Sequence, residues 1–160
     1  MNQPTGRIAR VVLDETTLEK RSDEIEHERA VAIYDLQAQN DFRPINHDGG
    51  PYTLHLGVRE NRLVLDIRTE SDEPVTIIAL SLTPFRRVVR DYRIVCESYY
   101  AAIQQQSLTQ VEALDMGRRS LHNEGADLLR ARLEGKVEFD LDTARRLFTL
   151  IYVLIVGSSA

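Results

Sequence analysis

One segment of the chain carries four side chains that can bind an anion or move a proton: Asp115, Arg118, Arg119 and His122. They stand at positions i, i+3, i+4 and i+7, so they project from one face of a helix, and Glu124 follows just beyond. Guanidinium groups offer planar pairs of donors to carboxylates and phosphates, and histidine titrates near neutral pH. The cluster predicts either a small-anion site or a structural ion-pair network, because the same residue types serve both.

A second candidate lies nearer the amino terminus, where Glu24 and His27 are three residues apart. Such Glu-x-x-His pairs bind iron in di-iron carboxylate proteins, but those sites need two pairs and two further glutamates. The sequence contains no second copy, so no metal or cofactor is predicted. His55 alternates with apolar residues on a predicted strand, and the sequence does not determine whether His27, His55 and His122 converge. The candidates for catalysis are His27, Asp115, His122 and Glu124.

Arginines cluster on a further predicted helix, from Arg86 to Arg93, and two more, Arg145 and Arg146, stand at the start of the last helix. Clustered guanidinium groups suit phosphate recognition. However, Arg87 and Arg93 each have a carboxylate four residues on, which favours ion pairs within the helix. The net charge of −5 and the estimated pI near 5.4 also disfavour nucleic acid as a partner. The candidates for ligand or anion binding are Arg86, Arg90, Arg118 and Arg119.

Length and composition set the class of protein. The 160 residues fit one domain, 1–160, with the first and last few residues expected to be flexible. Cys96 is the only cysteine, so no disulfide within the chain is possible and a reducing cytosol fits best. The amino terminus lacks the pattern of a secretory signal, and no stretch reaches the roughly 20 apolar residues of a membrane helix. A cytoplasmic protein without a membrane segment is predicted.

The segments that must position these side chains are well punctuated. Strands are predicted over Ile8–Leu13, Tyr52–Val58, Arg62–Thr69, Val75–Leu82 and, at an edge, Lys136–Phe139. Helices are predicted from the N-cap Ser22 to about Gln39, from the cap Thr83 with Pro84, from Thr109 to Leu133 before Gly135, and after Asp140 or Asp142. Because the middle strands read as hairpins, the prediction is an α+β fold: a small antiparallel sheet of about four to five strands packed against three to four helices.

Two helices leave an alternative open. Gly117 and Gly125 fall inside the third predicted helix, which indicates either close backbone packing or an interruption near Asn123. The last helix has no charge from Leu147 to Val156, which suits a buried core helix or a subunit interface.

Several runs of the sequence resemble the bacterial uncharacterised protein family (UPF) 0262. The matching runs extend from about Arg7 to Val156. They include Ile25-Glu-His-Glu-Arg29, Asp48-Gly-Gly-Pro-Tyr52, Pro84-Phe-Arg-Arg-Val88, Cys96-Glu-Ser-Tyr-Tyr100, Glu112-Ala-Leu-Asp-Met-Gly-Arg-Arg119, Leu121-His-Asn-Glu-Gly125 and Asp142-Thr-Ala-Arg-Arg-Leu-Phe-Thr-Leu150. The resemblance implies a small bacterial cytoplasmic protein and brings no activity, cofactor or catalytic residue.

Three functional hypotheses follow from these patterns. The first is a non-catalytic protein-interaction or regulatory domain, homo-oligomeric, that uses the last helix or an edge strand as its contact surface. The second is a small-anion ligand-binding protein or enzyme that uses His122, Asp115 and nearby arginines. The third is RNA or ribosome association through the arginine helix. The absence of a complete catalytic motif favours the first over an enzyme.

Overall fold

The computed structural model describes residues 6–15 and 22–158. The chain ends that were predicted to be flexible lie largely in 1–5 and 159–160, outside the described residues. The segment 16–21, between the first strand and the first helix, also lies outside the described residues. The elements are β1 (Ile8–Leu13), α1 (Asp23–Ala38), β2 (Phe42–Pro44), β3 (Tyr52–Arg59), β4 (Arg62–Thr69), β5 (Pro74–Ser81), α2 (Thr83–Gln104), α3 (Leu108–Leu133), β6 (Val137–Phe139) and α4 (Leu141–Ser158). The predicted α+β class is confirmed.

Four strands form one sheet in the order β1-β3-β4-β5. The hairpins β3–β4 and β4–β5 are antiparallel as predicted. In contrast, β1 runs parallel to β3, with Val11 opposite Leu54, so the sheet is mixed and not wholly antiparallel. The connection explains the difference, because α1 lies between the two strands and a crossover of this length returns the chain to the same end of the sheet. The strands β2 and β6 pair separately in an antiparallel ribbon.

The free edge of β1 is covered by polar side chains from the end of α1. The side-chain oxygen of Asn40 accepts a hydrogen bond from the Ile8 amide at 2.6 Å, and its amide nitrogen donates to the Ile8 carbonyl at 2.8 Å. Gln37 accepts from the Val11 amide at 3.0 Å. These bonds satisfy strand groups that would otherwise be unpaired and fix α1 against the sheet.

Local signals determine where the helices begin. The Ser22 hydroxyl accepts from the Ile25 amide, which confirms the predicted N-cap of α1. The predicted Thr83 cap is wrong by one residue, since Leu82 takes the cap position and Thr83 is already helical. On α1, Ala32 faces the core and is buried, whereas its neighbour Val31 is 42% exposed.

Packing decides whether α3 is interrupted near Asn123 and whether α4 lies in the core or at a subunit interface. α3 is continuous through Asn123, and Gly125 packs so closely on Phe148 of α4 that a Cβ there would lie 2.3 Å from the ring. α4 contacts α1, α3 and β3. Its residues from Leu147 to Ile155 are buried apart from the half-buried Thr149, so it is a core helix of this chain. Among the described helices, none is long and apolar enough to cross a membrane.

Candidate functional site

A cleft of about 670 Å³ lies among the four helices and brings together side chains that are remote in sequence. This volume falls in the range of small-molecule sites. The lining residues are His27, Glu28, Val31, Ala32 and Asp35 from α1, Tyr92, Tyr99 and Tyr100 from α2, Arg118, Arg119, His122 and Asn123 from α3, and Arg145, Arg146 and Thr149 from α4.

Two arginines of α3 enter the cleft as a pair held by one carboxylate. Asp115 bonds Arg118 at 2.6 Å and Arg119 at 2.8 Å, which is the i, i+3 and i, i+4 pairing predicted for this face. The hydrogen bond from Arg118 holds the pKa of Asp115 below its usual range. Asp115 does not itself line the cleft. Its position behind the arginines makes it a support for their guanidinium groups.

Two arginines of α4 approach the cleft from the other side. Arg145 donates from Nε to the Asn123 side chain at 2.9 Å and from Nη1 to Asp142 at 3.1 Å. Arg146 donates from Nη1 to the backbone carbonyl of Gln39 at 3.0 Å. Sequence reasoning grouped these two with the arginines of α2 as a set suited to phosphate recognition, and did not place them with the cluster of α3. The structure separates them from Arg86 and Arg90 and brings them to the same cleft as Arg118 and Arg119.

His122 is a neutral hydrogen-bonding group in this site. Its Nε2 lies 2.8 Å from the Thr149 hydroxyl, and its ring packs edge-on against Phe148 and beside Tyr92. Burial, and then the positive charges of Arg118 and Arg145, lower the pKa of His122 to about 4. The imidazole therefore carries no charge at neutral pH and does not add to the positive potential of the arginines.

Glu28 is half-buried at the inner side of the cleft, and sequence reasoning did not select it as a site residue. Its Oε1 accepts a hydrogen bond from the Tyr92 hydroxyl at 3.2 Å. Burial raises the pKa of this carboxyl, and the bond from Tyr92 opposes that rise. The helical spacing could have indicated that Glu28 faces inward. Glu28 follows Ile25 by three residues and precedes Ala32 by four, and both of these residues are buried.

Aromatic side chains of α2 complete the wall. The Arg118 guanidinium lies 4.7 Å from the centre of the Tyr99 ring, a cation–π distance. Burial raises the pKa of Tyr100 to about 12 and the pKa of Tyr92 further, so both hydroxyls stay protonated at neutral pH. Behind them, burial raises the pKa of the Cys96 thiol to about 11. Cys96 is buried and packs in the core.

Several predicted candidates lie elsewhere. Glu124 forms an ion pair with Arg87 on the outside of α2 and α3, away from the cleft. Arg86 bonds the Asn61 side chain, and Arg90 lies near Asp91. His55 is on the sheet, 3.6 Å from Asp72, and does not join the other histidines.

Four of the predicted candidates converge on the cleft: His27, Arg118, Arg119 and His122. They come from two helices that are remote in sequence. Within 6–15 and 22–158 no group of three or more His, Cys, Asp or Glu side chains is placed to hold a metal ion.

Comparison with known proteins adds a family. A family model described as uncharacterised protein family UPF0262 matches residues 5–156. A UPF0262 protein of Azorhizobium caulinodans is 58% identical over 153 residues, covering 94% of each chain. The UPF0262 protein of Xanthobacter autotrophicus is 58% identical, and the match covers 95% of this chain and 93% of that protein. The UPF0262 protein of Agrobacterium fabrum is 53% identical, and the match covers 92% of this chain and 94% of that protein. No solved structure matches the chain.

Proposed function

The chain belongs to the uncharacterised protein family UPF0262, and we propose that its cleft binds a small organic anion, a carboxylate or a phosphate ester. The arginines of α3 and α4 hold the anionic group, with Asp115 orienting the α3 pair. His122 serves as a neutral hydrogen-bonding partner in the same cleft. This proposal takes up the small-anion hypothesis and adds Arg145 and Arg146 to its binding residues.

The observation that carries the proposal is the charge of the lining. Four guanidinium groups, from Arg118, Arg119, Arg145 and Arg146, face one cleft together with only two carboxylates, Glu28 and Asp35. The chain as a whole has a net charge of −5, so this concentration of positive charge opposes the overall field. A concave surface lined by one sign of charge raises the local concentration of ligands of the opposite sign.

The arginines retain donors for a ligand. Arg119 bonds Asp115 through one terminal nitrogen, and Arg146 bonds the Gln39 carbonyl through one terminal nitrogen. A guanidinium carries five N–H donors, so most of those on these two side chains are left for a further acceptor. The Arg119 side chain is 73% exposed and can reach a ligand without breaking a core contact.

Titration by NMR of the ¹⁵N-labelled chain with succinate and with inorganic phosphate tests this proposal. Ionic strength is matched with sodium chloride. We expect shifts at the backbone amides of α3 and α4 around the cleft, with millimolar affinity for such small probes. Arg119→Gln removes one charged donor and should weaken binding about tenfold.

Arg90→Gln is the matched control, because Arg90 is a 67% exposed side chain with a neighbouring carboxylate, as Arg119 is, and lies outside the cleft. It should leave the affinity unchanged. Equal weakening by both substitutions would show that the probes respond only to net charge. Such a result, or the absence of any shift around the cleft, contradicts the proposal.

A protein-interaction function stays a second proposal, carried by an edge strand. β5 is an edge strand of the four-stranded sheet and pairs with β4 on one side, and its Ile77 is 66% exposed. The other surface proposed for this function, on α4, is buried in the core of the chain. Light scattering at micromolar concentration tests the homo-oligomer, and a monomer would contradict it.

RNA association also stays a prediction. Two arginines of its proposed surface, Arg87 and Arg93, are paired with carboxylates, which reduces the charge offered to phosphates. Binding to single-stranded RNA that weakens steeply with salt would support it, and no retention of RNA at low ionic strength would contradict it.

A further inference from the structure

Two polar atoms of opposite character lie at the cleft without a hydrogen-bond partner among the described residues. One is the acceptor Oε2 of Glu28 and the other is the donor Nε of Arg118, and both are buried. Most buried polar atoms in proteins are hydrogen-bonded, because an unpaired one loses its water without replacement. Both side chains line the cleft, so a small rotation of either would bring its unpaired atom to a molecule bound there.

The hydrogen bonds that the two side chains form within the described part of the chain go to other residues and leave these two atoms unpaired. The other oxygen of Glu28 is bound by the Tyr92 hydroxyl at 3.2 Å. Arg118 is tied by Nη2 to Asp115 at 2.6 Å and lies over the Tyr99 ring. The positive charge of Arg118 nevertheless acts on Glu28 through space and opposes the rise of its pKa. The carboxylate and the guanidinium thus flank the site as separate, oriented groups.

We propose that the anion bound in this cleft also carries a hydrogen-bond donor, a hydroxyl or an ammonium group, next to its carboxylate or phosphate, and that Glu28 accepts from that donor. The ligand class is therefore a hydroxy acid, an amino acid or a hydroxylated phosphate ester. This inference rests on the proposed function, since the arginines must hold the anionic group.

The chemistry of Glu28 makes the donor a requirement for tight binding. An ionised carboxylate accepts hydrogen bonds and cannot donate them, so it repels a plain anion and attracts one that presents a hydroxyl or an ammonium group. The terminal torsion of a glutamate is soft, and a small rotation turns Oε2 toward such a donor. Discrimination by a buried polar group is strong because a ligand without the donor leaves that group unpaired.

The test compares succinate with the two enantiomers of malate, which differ from it by one hydroxyl and have the same charge. Affinities are measured by NMR titration at pH 8, because a high pH favours the ionised form of Glu28. We expect one enantiomer of malate to bind about tenfold tighter than succinate. L-aspartate and D-aspartate extend the series to an ammonium donor.

Glu28→Gln should abolish this preference. The glutamine keeps an oxygen for the Tyr92 hydroxyl and presents an N–H where Oε2 stood, so a ligand hydroxyl gains no acceptor of the same strength. Glu24→Gln is the matched control, because Glu24 is an exposed glutamate one turn earlier on α1 and outside the cleft. It should retain the preference. Glu28→Asp withdraws the carboxylate by one methylene and should also lose it, which provides a second variant if the first does not fold.

The outcomes separate this inference from the proposed function. Equal affinity for succinate and both malates overturns the donor requirement and leaves the anion site standing. Retention of the preference in Glu28→Gln also overturns it. Tighter binding of succinate on acidification, lost in Glu28→Gln, would mean that a protonated Glu28 donates to the anion, and this too overturns the inference. Failure of every probe to bind the cleft overturns the proposed function and the inference with it.

Discussion

His122 shows how burial changes the role of one side chain. An exposed imidazole next to a carboxylate would be partly charged at neutral pH. Here the ring is enclosed by Tyr92 and Phe148, and Arg118 and Arg145 add positive charge nearby. Burial and these charges act in the same direction, so the neutral form is strongly favoured. The histidine that looked most suited to binding an anion by charge instead contributes a hydrogen bond.

We predict a pH dependence of stability that comes from this group. The pKa of His122 falls from 6.5 to about 4 on folding. Between these values the unfolded chain binds a proton that the folded chain does not, so the free energy of unfolding rises with pH across this window. The stability that neutral His122 contributes is lost as the pH falls from 6.5 towards 4. The loss approaches about 1.4 kcal/mol for each unit by which the pKa is lowered.

Urea denaturation at pH 4.5 and pH 7 measures that loss, and NMR titration of the His122 ring protons measures the pKa directly. His122→Gln removes the titrating group, so the difference in stability between the two pH values should shrink in this variant. A ring that titrates near 6.5 in the folded chain contradicts the prediction.

The contact between α3 and α4 shows what a helix interior glycine does in this fold. Gly125 stands against the fully buried ring of Phe148, and the missing side chain lets the two helices approach closely. Gly117 lies on the same helix, but a Cβ there would meet only Val95 at an ordinary distance of 3.8 Å. The same residue type therefore has a packing role at one position and none visible at the other.

We predict opposite effects of alanine at these two positions. Gly125→Ala places a methyl group 2.3 Å from the fully buried ring of Phe148, and overpacking of this kind costs about 1–3 kcal/mol of unfolding free energy. Gly117→Ala should stabilise by up to about 1 kcal/mol through helix propensity. Urea denaturation measures both. Similar effects of the two substitutions would contradict the close packing of Gly125.

At the scale of the whole molecule, α4 is the element around which the rest is arranged. It contacts α1, α3 and the central strand β3, and apart from the half-buried Thr149 its residues from Leu147 to Ile155 are buried. Its first turns carry Arg145 and Arg146 into the cleft. One helix thus joins the hydrophobic core to the candidate binding site, so loss of its packing should remove both.

We predict that Ile151→Asp unfolds the chain. Ile151 is 1% exposed, and an unpaired carboxylate there costs an amount comparable to the whole stability of a domain. Circular dichroism and the dispersion of NMR signals report the loss. Ile94→Asp is the matched control on the 56% exposed Ile94 of α2 and should remain folded. A folded monomeric Ile151→Asp variant would mean that α4 serves an interface and not the core.

The sequence alone determined where most of the elements lie, although the short strand β2 was not predicted. Alternation of apolar and polar residues located β4, and three- and four-residue spacing located α2. The Ser22 cap and Gly135 set the start of α1 and the end of α3. These features depend on interactions between residues a few positions apart, which the order of residues specifies directly. The i, i+3 and i, i+4 pairing of Asp115 with its arginines was predictable for the same reason.

Only the tertiary structure decided which side chains meet. The parallel pairing of β1, the burial of Glu28 and the joining of α1 residues with Arg145 and Arg146 all depend on contacts between segments more than 25 positions apart. Such contacts arise when several elements bury their apolar faces at once, and many arrangements share the same local pattern. The placement of Glu124 and His55 away from the cleft was undetermined for that reason.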